Sequence, residues 1–300
     1  MPDLEICDGL TADGPTAAPG RGYHAPAFSH THTAPGGLPL QTPRETADQS
    51  FGGQAVELFS LVSFLALLVV GTTVGSRLLL LARHTRKLPE FAIGTACLGT
   101  ALGGVFLCPI LYFAGSWPEG TVFASVIASS VVNGVAGSAI CLLTWRVFRP
   151  GRLWAASAWA AASLALLAAV VGAILRGDVV PHWALRPENH LFMWVRVSAF
   201  LWAGFESLRY AGMMRRQARV GLGNPVVAAQ IRLWGVAAVA ISLMLVFWAL
   251  APHLGHASVQ DWSAGMFAAN TLGLVGAGSL HLAFLSPEAW RRWIAERAAS

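Results

Sequence analysis

Three charged residues lie inside one long apolar stretch of the sequence, which runs from Glu188 to Arg216. They are Arg196, Glu206 and Arg209. If this stretch crosses a membrane, each charge is costly in lipid, so it must face protein or water. The chemistry open to these side chains is ionic, either pairing with an opposite charge or holding an ionic ligand.

Arg196 is the most isolated of the three. Counting from the start of its helix, it lies ~10 Å below the outer surface at ~1.5 Å per residue. It has no acidic neighbour three or four residues away on its own helix. Glu57, at the outer end of the first apolar segment, is one candidate partner, and an anionic ligand that enters from outside is the other.

The remaining charges predict a second group near the inner side of the membrane. Its members share one depth in their helices, where opposite charges would lower each other's desolvation cost: Arg77, Glu90, Glu206, Arg209 and His281. We interpret them as an ionic cluster that could shift when something binds outside. A static packing cluster, or arginines that extend to the headgroups, is the alternative.

The third apolar segment carries small and polar residues at every fourth position, in two adjacent rows. One row is Ser125, Ser129, Asn133, Gly137 and Cys141, and the other is Ser130, Gly134 and Ser138. Such rows let helix backbones approach closely, which predicts a central, surrounded helix. The alternative is functional, with Asn133 and Asn270 lining a polar cavity. Together with Arg196, these asparagines are our candidate ligand-binding residues.

Histidines gather in the connections that we expect outside. They are His182, His190, His253 and His256, near Asp178, Glu188 and Asp261. His253 and His256 are weak candidates for a metal or proton-sensing site, since imidazole titrates near neutral pH. Ordinary loop histidines are the alternative. In the N-terminal tail, His24, His30 and His32 could likewise bind a metal weakly or belong to a polar low-complexity segment.

The composition is that of a membrane protein. Of 300 residues, 55% are hydrophobic and 12% are charged, and the mean hydropathy is +0.57. Average soluble chains carry about 25% charged residues. The apolar residues form long runs, which favours membrane helices over a soluble core or a β-barrel. The basic residues sit at the ends of these runs and form no patch of their own, so we expect no nucleic-acid partner.

Seven apolar segments predict an all-α, seven-helix bundle. Each is long enough to cross a hydrocarbon core ~30 Å thick. They span about 57–82, 89–114, 122–148, 153–175, 189–214, 225–250 and 262–284. Proline at a helix start supports several boundaries, as in Pro89-Glu90, Arg186-Pro187-Glu188 and Asn224-Pro225.

The placement of Lys and Arg predicts the orientation. Of the 20 basic residues, 13 fall on one side: Arg83, Arg86, Lys87, Arg146, Arg149, Arg152, Arg215, Arg216, Arg219, Arg232, Arg291, Arg292 and Arg297. We therefore expect the N-terminus outside and the C-terminus in the cytoplasm of a multi-pass protein in a bacterial inner membrane. The lipid bilayer is thus an expected partner. The basic loop from Arg215 to Arg219 is the best candidate for contact with a protein partner or lipid headgroups, unless it serves topology alone.

The two ends of the chain differ from the bundle. Residues 1–53 are rich in Pro, Gly, Thr and His, and we expect a disordered extracytoplasmic tail. Residues 287–300 place Trp290, Trp293 and Ile294 on one face, flanked by arginines. This pattern predicts a short amphipathic helix on the inner membrane surface, with a frayed, solvated tail as the alternative.

Several functions are excluded by missing residues. The only lysine is Lys87, in a predicted inner loop, so no helix can form a retinal Schiff base. Bound haem is not expected either, because His281 is the only histidine well inside a predicted helix, and no other cofactor is indicated. The sequence contains no GxSxG, HExxH or Walker motif. Four cysteines show no zinc spacing. An enzyme is the least favoured class.

Five stretches resemble a group of uncharacterised bacterial seven-helix membrane proteins. They are LARHTRKLPEFAIG, TWRVFRP, FESLRY, NPVVAAQIRLWG and AFLSPEAWRRWI. The resemblance covers about Leu58 to Ile294 and leaves out the N-terminal tail. It implies the same seven-helix layout, and it implies no catalytic or binding residues, because the group has no assigned activity.

These observations favour a sensor or receptor-like module that signals through a separate cytoplasmic or membrane partner, since no output domain is fused to it. The ligand class is left open. A small-solute transporter and an accessory subunit of a membrane complex are the alternatives. The seven segments show no inverted repeat of the kind that many transporters contain.

Overall fold

A computed structural model describes residues 43–113, 117–177, 186–256 and 259–299. They form eight α-helices: α1 (Pro43–Thr85), α2 (Leu88–Phe113), α3 (Glu119–Leu143), α4 (Leu153–Arg176), α5 (Pro187–Arg219), α6 (Pro225–Leu250), α7 (Ser263–Phe284) and α8 (Glu288–Ala299). A π-helical turn, Thr144–Phe148, extends α3, and two short 3-10 turns, Ala251–Leu254 and Val259–Asp261, connect α6 to α7. α1 to α7 are each long and apolar enough to span a membrane, which confirms the predicted all-α architecture with seven such helices.

Most helix boundaries lie within a few residues of those expected, but α1 begins earlier, and α5 continues to Arg219, so Arg215–Arg219 is helical and not a loop. α1 starts at Pro43, so residues 43–53 are helical where we expected the tail, and residues 1–42 lie outside the described part. Proline at the first helical position favours a helix start. Asn224 caps α6 as predicted, and its Oδ1 accepts hydrogen bonds from the backbone N–H of Val226 (2.9 Å) and Val227 (3.4 Å).

Six of the seven long helices form a closed ring. Each packs on the next along the chain, and α7 returns to α1. α3 also packs directly on α5, so α4 lies outside the ring against these two. Accordingly, α4 is the least buried of the seven helices. Six helices therefore surround the centre of the bundle.

Close backbone contact holds α5 and α6 together. A Cβ added to Gly204 would lie 3.1 Å from the carbonyl oxygen of Gly235 and 2.7 Å from Cγ2 of Val239. Small residues at such crossings let helices in a membrane approach without steric clash. α3 is similarly enclosed, since Ser129, Asn133 and Cys141 of its predicted row are buried.

The basic connections and α8 lie at one end of the bundle, which we call the α8 end. It contains the links 86–87, 149–152 and 220–224. α8 packs against α6. Its Arg291 donates from Nε to the carbonyl oxygen (3.3 Å) and Oγ (3.2 Å) of the buried Ser286. The opposite end, where α1, α3, α5 and α7 begin, is the N-terminal end.

Candidate functional site

A cavity of about 300 Å³ lies between α1, α2, α3, α5, α6 and α7. Within the part of the chain that the structure describes, no residue of α4 lines it, as expected for a helix outside the ring. Most of its wall is apolar, including Phe64, Leu67, Met193, Phe200 and Met244. All three residues predicted as ligand contacts, Arg196, Asn133 and Asn270, line this cavity.

Arg196 contacts Asn133 across the interface between α5 and α3. Its Nη2 donates to Oδ1 of Asn133 at 2.7 Å, and both residues are buried, with 8% and 7% exposure. The guanidinium carbon lies 5.5 Å from the ring centroid of Phe192, a cation–π contact one turn earlier on α5. The pairing with a neutral amide leaves the charge of Arg196 without a counter-charge from Asn133.

Asn133 is in turn fixed by α3 and α2. Its Nδ2 donates to the carbonyl oxygen (3.0 Å) and Oγ (3.3 Å) of Ser129, and Ser129 Oγ donates to the carbonyl oxygen of Gly103 at 2.8 Å. The four-residue spacing of Ser129 and Asn133 places them one turn apart on the same face. This chain of hydrogen bonds orients the Asn133 oxygen toward Arg196.

Gly103 is expected to be essential to this arrangement. A Cβ added to it would lie 2.0 Å from Asn133 Nδ2, so Gly103→Ala must displace the amide that holds Arg196. We expect a loss of about 1–3 kcal/mol in unfolding free energy, as for other overpacked sites. Thermal or denaturant unfolding in detergent would measure it.

Gly278→Ala is the matched control for this variant. Gly278 is also a helical glycine, and a Cβ added to it would meet no atom within 4 Å. The control should be neutral or stabilising by up to about 1 kcal/mol. Equal losses in the two variants would contradict the assigned role of Gly103.

Asn270 forms a second polar contact at the cavity, between α7 and α1. Its Nδ2 donates to Ser60 Oγ at 2.6 Å, and its backbone carbonyl accepts from Ser63 Oγ at 2.8 Å. Ser60 and Ser63 are buried and also line the cavity. Polar groups therefore face the cavity from two sides, α3–α5 and α1–α7, with apolar wall between them.

Unpaired polar atoms concentrate around the cavity. Among the described residues, five buried side-chain atoms have no hydrogen-bond partner, and three belong to residues that line it: Arg196 Nε, Thr100 Oγ1 and Trp234 Nε1. Buried polar groups in proteins are normally paired, so each exception calls for a partner such as water or a ligand. All three can donate, and a ligand with acceptor atoms would match them.

The predicted inner ionic cluster is not brought together. Glu206 is buried, but its Oε1 accepts from Nε (2.9 Å) and Nη2 (2.7 Å) of Arg149. Arg77, Arg209 and His281 lie on exposed faces of their helices, and Glu90 is half-buried. In the described ranges, no ion pair joins any of these four residues to another charged group. A shared depth does not bring these side chains into contact, because the helices point them in different directions.

Arg149, the partner of Glu206, lies outside the predicted helices, so an estimate of depth from position within a helix does not include it. It directly follows the π-helical turn Thr144–Phe148, and its guanidinium carbon also lies 5.8 Å from the ring centroid of Trp154. Its position in the α3–α4 connection is level with the part of α5 nearer the α8 end, where Glu206 lies. Including loop cations next to a helix end, as well as cations inside helices, would have made Arg149 a candidate partner of Glu206.

Glu57, the candidate ion-pair partner of Arg196, does not pair with it. Glu57 is exposed at the N-terminal end of the bundle. Across the described residues, no ion pair joins Arg196 to a carboxylate. The partner that the structure shows for Arg196 is the neutral amide of Asn133, and the expected anionic ligand stays a prediction.

The histidines of the N-terminal end take part in ring contacts. His190, which lies in the first turn of α5, stacks on His253 with ring centroids 4.7 Å apart, and His256 stacks on Trp262 at 5.7 Å. Within the described ranges, no group of three or more His, Cys, Asp or Glu residues could hold a metal ion. His182, Asp178 and the tail histidines His24, His30 and His32 lie outside those ranges.

Comparisons with protein-family models, with curated proteins and with solved structures found no match to this chain. The function must therefore be argued from the cavity and its charges.

Proposed function

We propose that this protein is a membrane sensor that binds a small amphiphilic anion, with a carboxylate-like head and an apolar body, in the central cavity. The N-terminus is outside, the C-terminus is in the cytoplasm of a bacterial cell, and the output passes to a separate partner. The observation that carries the proposal is Arg196, a cation buried on the cavity wall without a carboxylate partner among the described residues.

The charge of Arg196 argues for an anionic ligand. Burying a cation without a counter-charge costs several kcal/mol. A carboxylate in the cavity would offset this cost and could accept from Nε, which has no partner in the described residues. Guanidinium and carboxylate groups match in geometry as well as in charge.

The remaining wall argues for an apolar body. Aromatic, leucine and methionine side chains line most of the cavity. A volume of about 300 Å³ lies at the small end of the range for ligand pockets, about 300–1,000 Å³. The amides and hydroxyls at Asn270, Ser60 and Ser63 on the α1–α7 side suit a second, uncharged polar group.

The position of Arg196 on α5 supports a sensor. The same helix carries Glu206 farther along, which pairs with Arg149 in the α3–α4 connection at the α8 end. A ligand held by Arg196 and by α1–α7 would favour one position of α5 over another. Through this ion pair, a change in the position of α5 would move the basic α3–α4 connection. A ligand shifts the equilibrium between two positions of α5 by the difference in its affinity for them.

Ligand-dependent thermal unfolding tests the proposal. The purified protein in nanodiscs is mixed with medium-chain carboxylates and, separately, with the alcohols and amines of the same chain length. We expect only the carboxylates to raise the melting temperature, since a ligand at 100 times its Kd adds about 2.7 kcal/mol of stability. The alcohols control for partitioning into the bilayer.

Two arginines of α5 provide the matched variants. Arg196→Met should abolish the stabilisation by carboxylates, whereas Arg209→Met should preserve it, because Arg209 is exposed and does not line the cavity. Equal stabilisation by the alcohols, or a full response in Arg196→Met, would reject an anion site at Arg196.

Flux and co-purification separate the remaining classes. A sensor should bind the carboxylate saturably in proteoliposomes without moving it across the membrane. Saturable flux that is lost in Arg196→Met would instead identify a transporter. A stoichiometric membrane partner together with no carboxylate binding would identify an accessory subunit.

A further inference from the structure

A second, larger cavity of about 710 Å³ opens at the α8 end, between the end of α5, the start of α6 and α8. Three arginines and part of α8 form its most distinctive walls: Arg215, Arg219, Arg232, Trp290, Trp293 and Ile294. None of these residues contributes to the central cavity.

The three arginines converge without carboxylate partners. Arg215 and Arg219 are one turn apart on α5, and Arg232 comes from α6. Over the described ranges, no ion pair joins any of them to an acidic residue. Like charges one turn apart on a helix repel each other. An anion between them would convert this repulsion into attraction, and guanidinium groups match phosphate oxygens in particular.

The rest of the wall indicates an amphiphile. Trp290, Trp293 and Ile294 lie beside the arginines, and Leu233 and Val236 of the membrane-spanning α6 continue the wall away from them. A phosphate-bearing headgroup would meet the guanidinium groups, and acyl chains would meet the apolar side chains. Indole rings favour the interface between headgroups and hydrocarbon.

We propose that this cavity is a binding site for an anionic phospholipid, with its phosphate held by Arg215, Arg219 and Arg232 and its upper acyl region against α8. Basic cavities beside membrane helices on the cytoplasmic side are suited to such headgroups. The bound lipid would attach α8 to the bundle. The site is independent of the anion proposed for the central cavity.

Lipid retention in native mass spectrometry tests this site. The detergent-purified full chain is mixed with equal amounts of phosphatidylglycerol and phosphatidylcholine. We expect preferential retention of phosphatidylglycerol by the wild type. Because each cation near an anionic surface contributes about five-fold in affinity, R215Q/R219Q/R232Q should lower retention at least about ten-fold.

A second triple variant controls for charge alone. R83Q/R216Q/R292Q removes three arginines from the same end of the bundle that do not line the cavity. It should retain phosphatidylglycerol nearly as well as the wild type. An equal loss in both triple variants, or equal retention of the two lipids by the wild type, would overturn the proposal.

Two further measurements keep the outcome decisive. Inorganic phosphate at millimolar concentration should not displace phosphatidylglycerol, and displacement would mean that free phosphate is the ligand. If R215Q/R219Q/R232Q fails to fold, phosphatidylglycerol with brominated acyl chains should quench wild-type fluorescence more than that of W290F/W293F. No difference in quenching would place the lipid elsewhere.

Discussion

Arg149→Gln is expected to lower the unfolding free energy by about 3 kcal/mol, because it leaves the buried carboxylate of Glu206 without a partner. The Glu206 side chain is 8% exposed, whereas that of Arg149 is 27% exposed. Glu206→Gln should therefore cost less, since the arginine can turn toward solvent or headgroups. We expect the larger loss of stability in Arg149→Gln because Glu206, the residue left unpaired, is more buried than Arg149.

The double variant Arg149→Gln/Glu206→Gln should recover most of the loss. Breaking a buried pair from one side is costly, while replacing both charges often has little net effect. Unfolding of all four proteins, in the same detergent, gives a coupling energy that we expect at about 1–3 kcal/mol.

A second ion pair provides the control for this cycle. Arg176 Nε lies 3.0 Å from Glu188 Oε1 near the N-terminal end, and the two side chains are 51% and 13% exposed, so this pair is more open to solvent than Arg149–Glu206. Exposed pairs contribute about 1 kcal/mol or less. The same cycle at this pair should give a small coupling energy. Equal coupling energies at the two pairs would contradict the assignment of Glu206–Arg149 as a buried ionic link.

Arg196→Met is expected to stabilise the ligand-free protein while abolishing anion binding. A charged residue inside a membrane helix costs up to about 2.5–3.5 kcal/mol, the value at the helix centre. The variant leaves Asn133 Oδ1 without its donor, at a cost of about 1–3 kcal/mol. The balance is a net gain of about 1 kcal/mol, in contrast to most substitutions of buried residues, which destabilise.

Unfolding without added ligand measures this gain. Arg209→Met, on the exposed face of the same helix, should change stability by no more than about 0.5 kcal/mol, as for most surface substitutions. A loss of 2 kcal/mol or more in Arg196→Met would show that the charge is already compensated, and it would remove the main argument for an anionic ligand.

Under the proposed function, Arg196 is a residue that lowers stability and is retained for binding. Its hydrogen-bonding partner, Asn133, is neutral and supplies no counter-charge. Retaining a buried cation beside a cavity is expected where binding of an anion requires it. The opposite effects predicted for stability and binding distinguish this case from a structural arginine.

Much of the candidate site could be predicted from residue type and spacing. Charges and amides within long apolar stretches are costly unless they face other protein, which selected Arg196, Asn133 and Asn270. The structure places all three around one cavity, on two of its sides. The four-residue spacing of Ser129 and Asn133 also predicted a shared buried face on α3, and both residues are buried.

The partners of these residues could not be predicted in the same way. Depth in the membrane follows from counting residues, but the direction of a side chain depends on the rotation of each helix about its axis. Arg77, Arg209 and His281 are expected at the depth of Glu206, yet they lie on exposed faces. Arg149 reaches Glu206 from the connection that follows the π-helical turn at the end of α3, and this turn packs against α5.

The sequence by itself determined the seven long apolar helices, most of their boundaries and the concentration of basic residues at one end. These properties depend on local composition, on the thickness of a bilayer and on caps such as Asn224. Only the tertiary structure decided which helices surround the cavity. The direct contact of α3 with α5 leaves α4 outside and brings Arg196 to Asn133, two residues 63 positions apart in the chain. Such pairings depend on how helix faces pack, which no local pattern specifies.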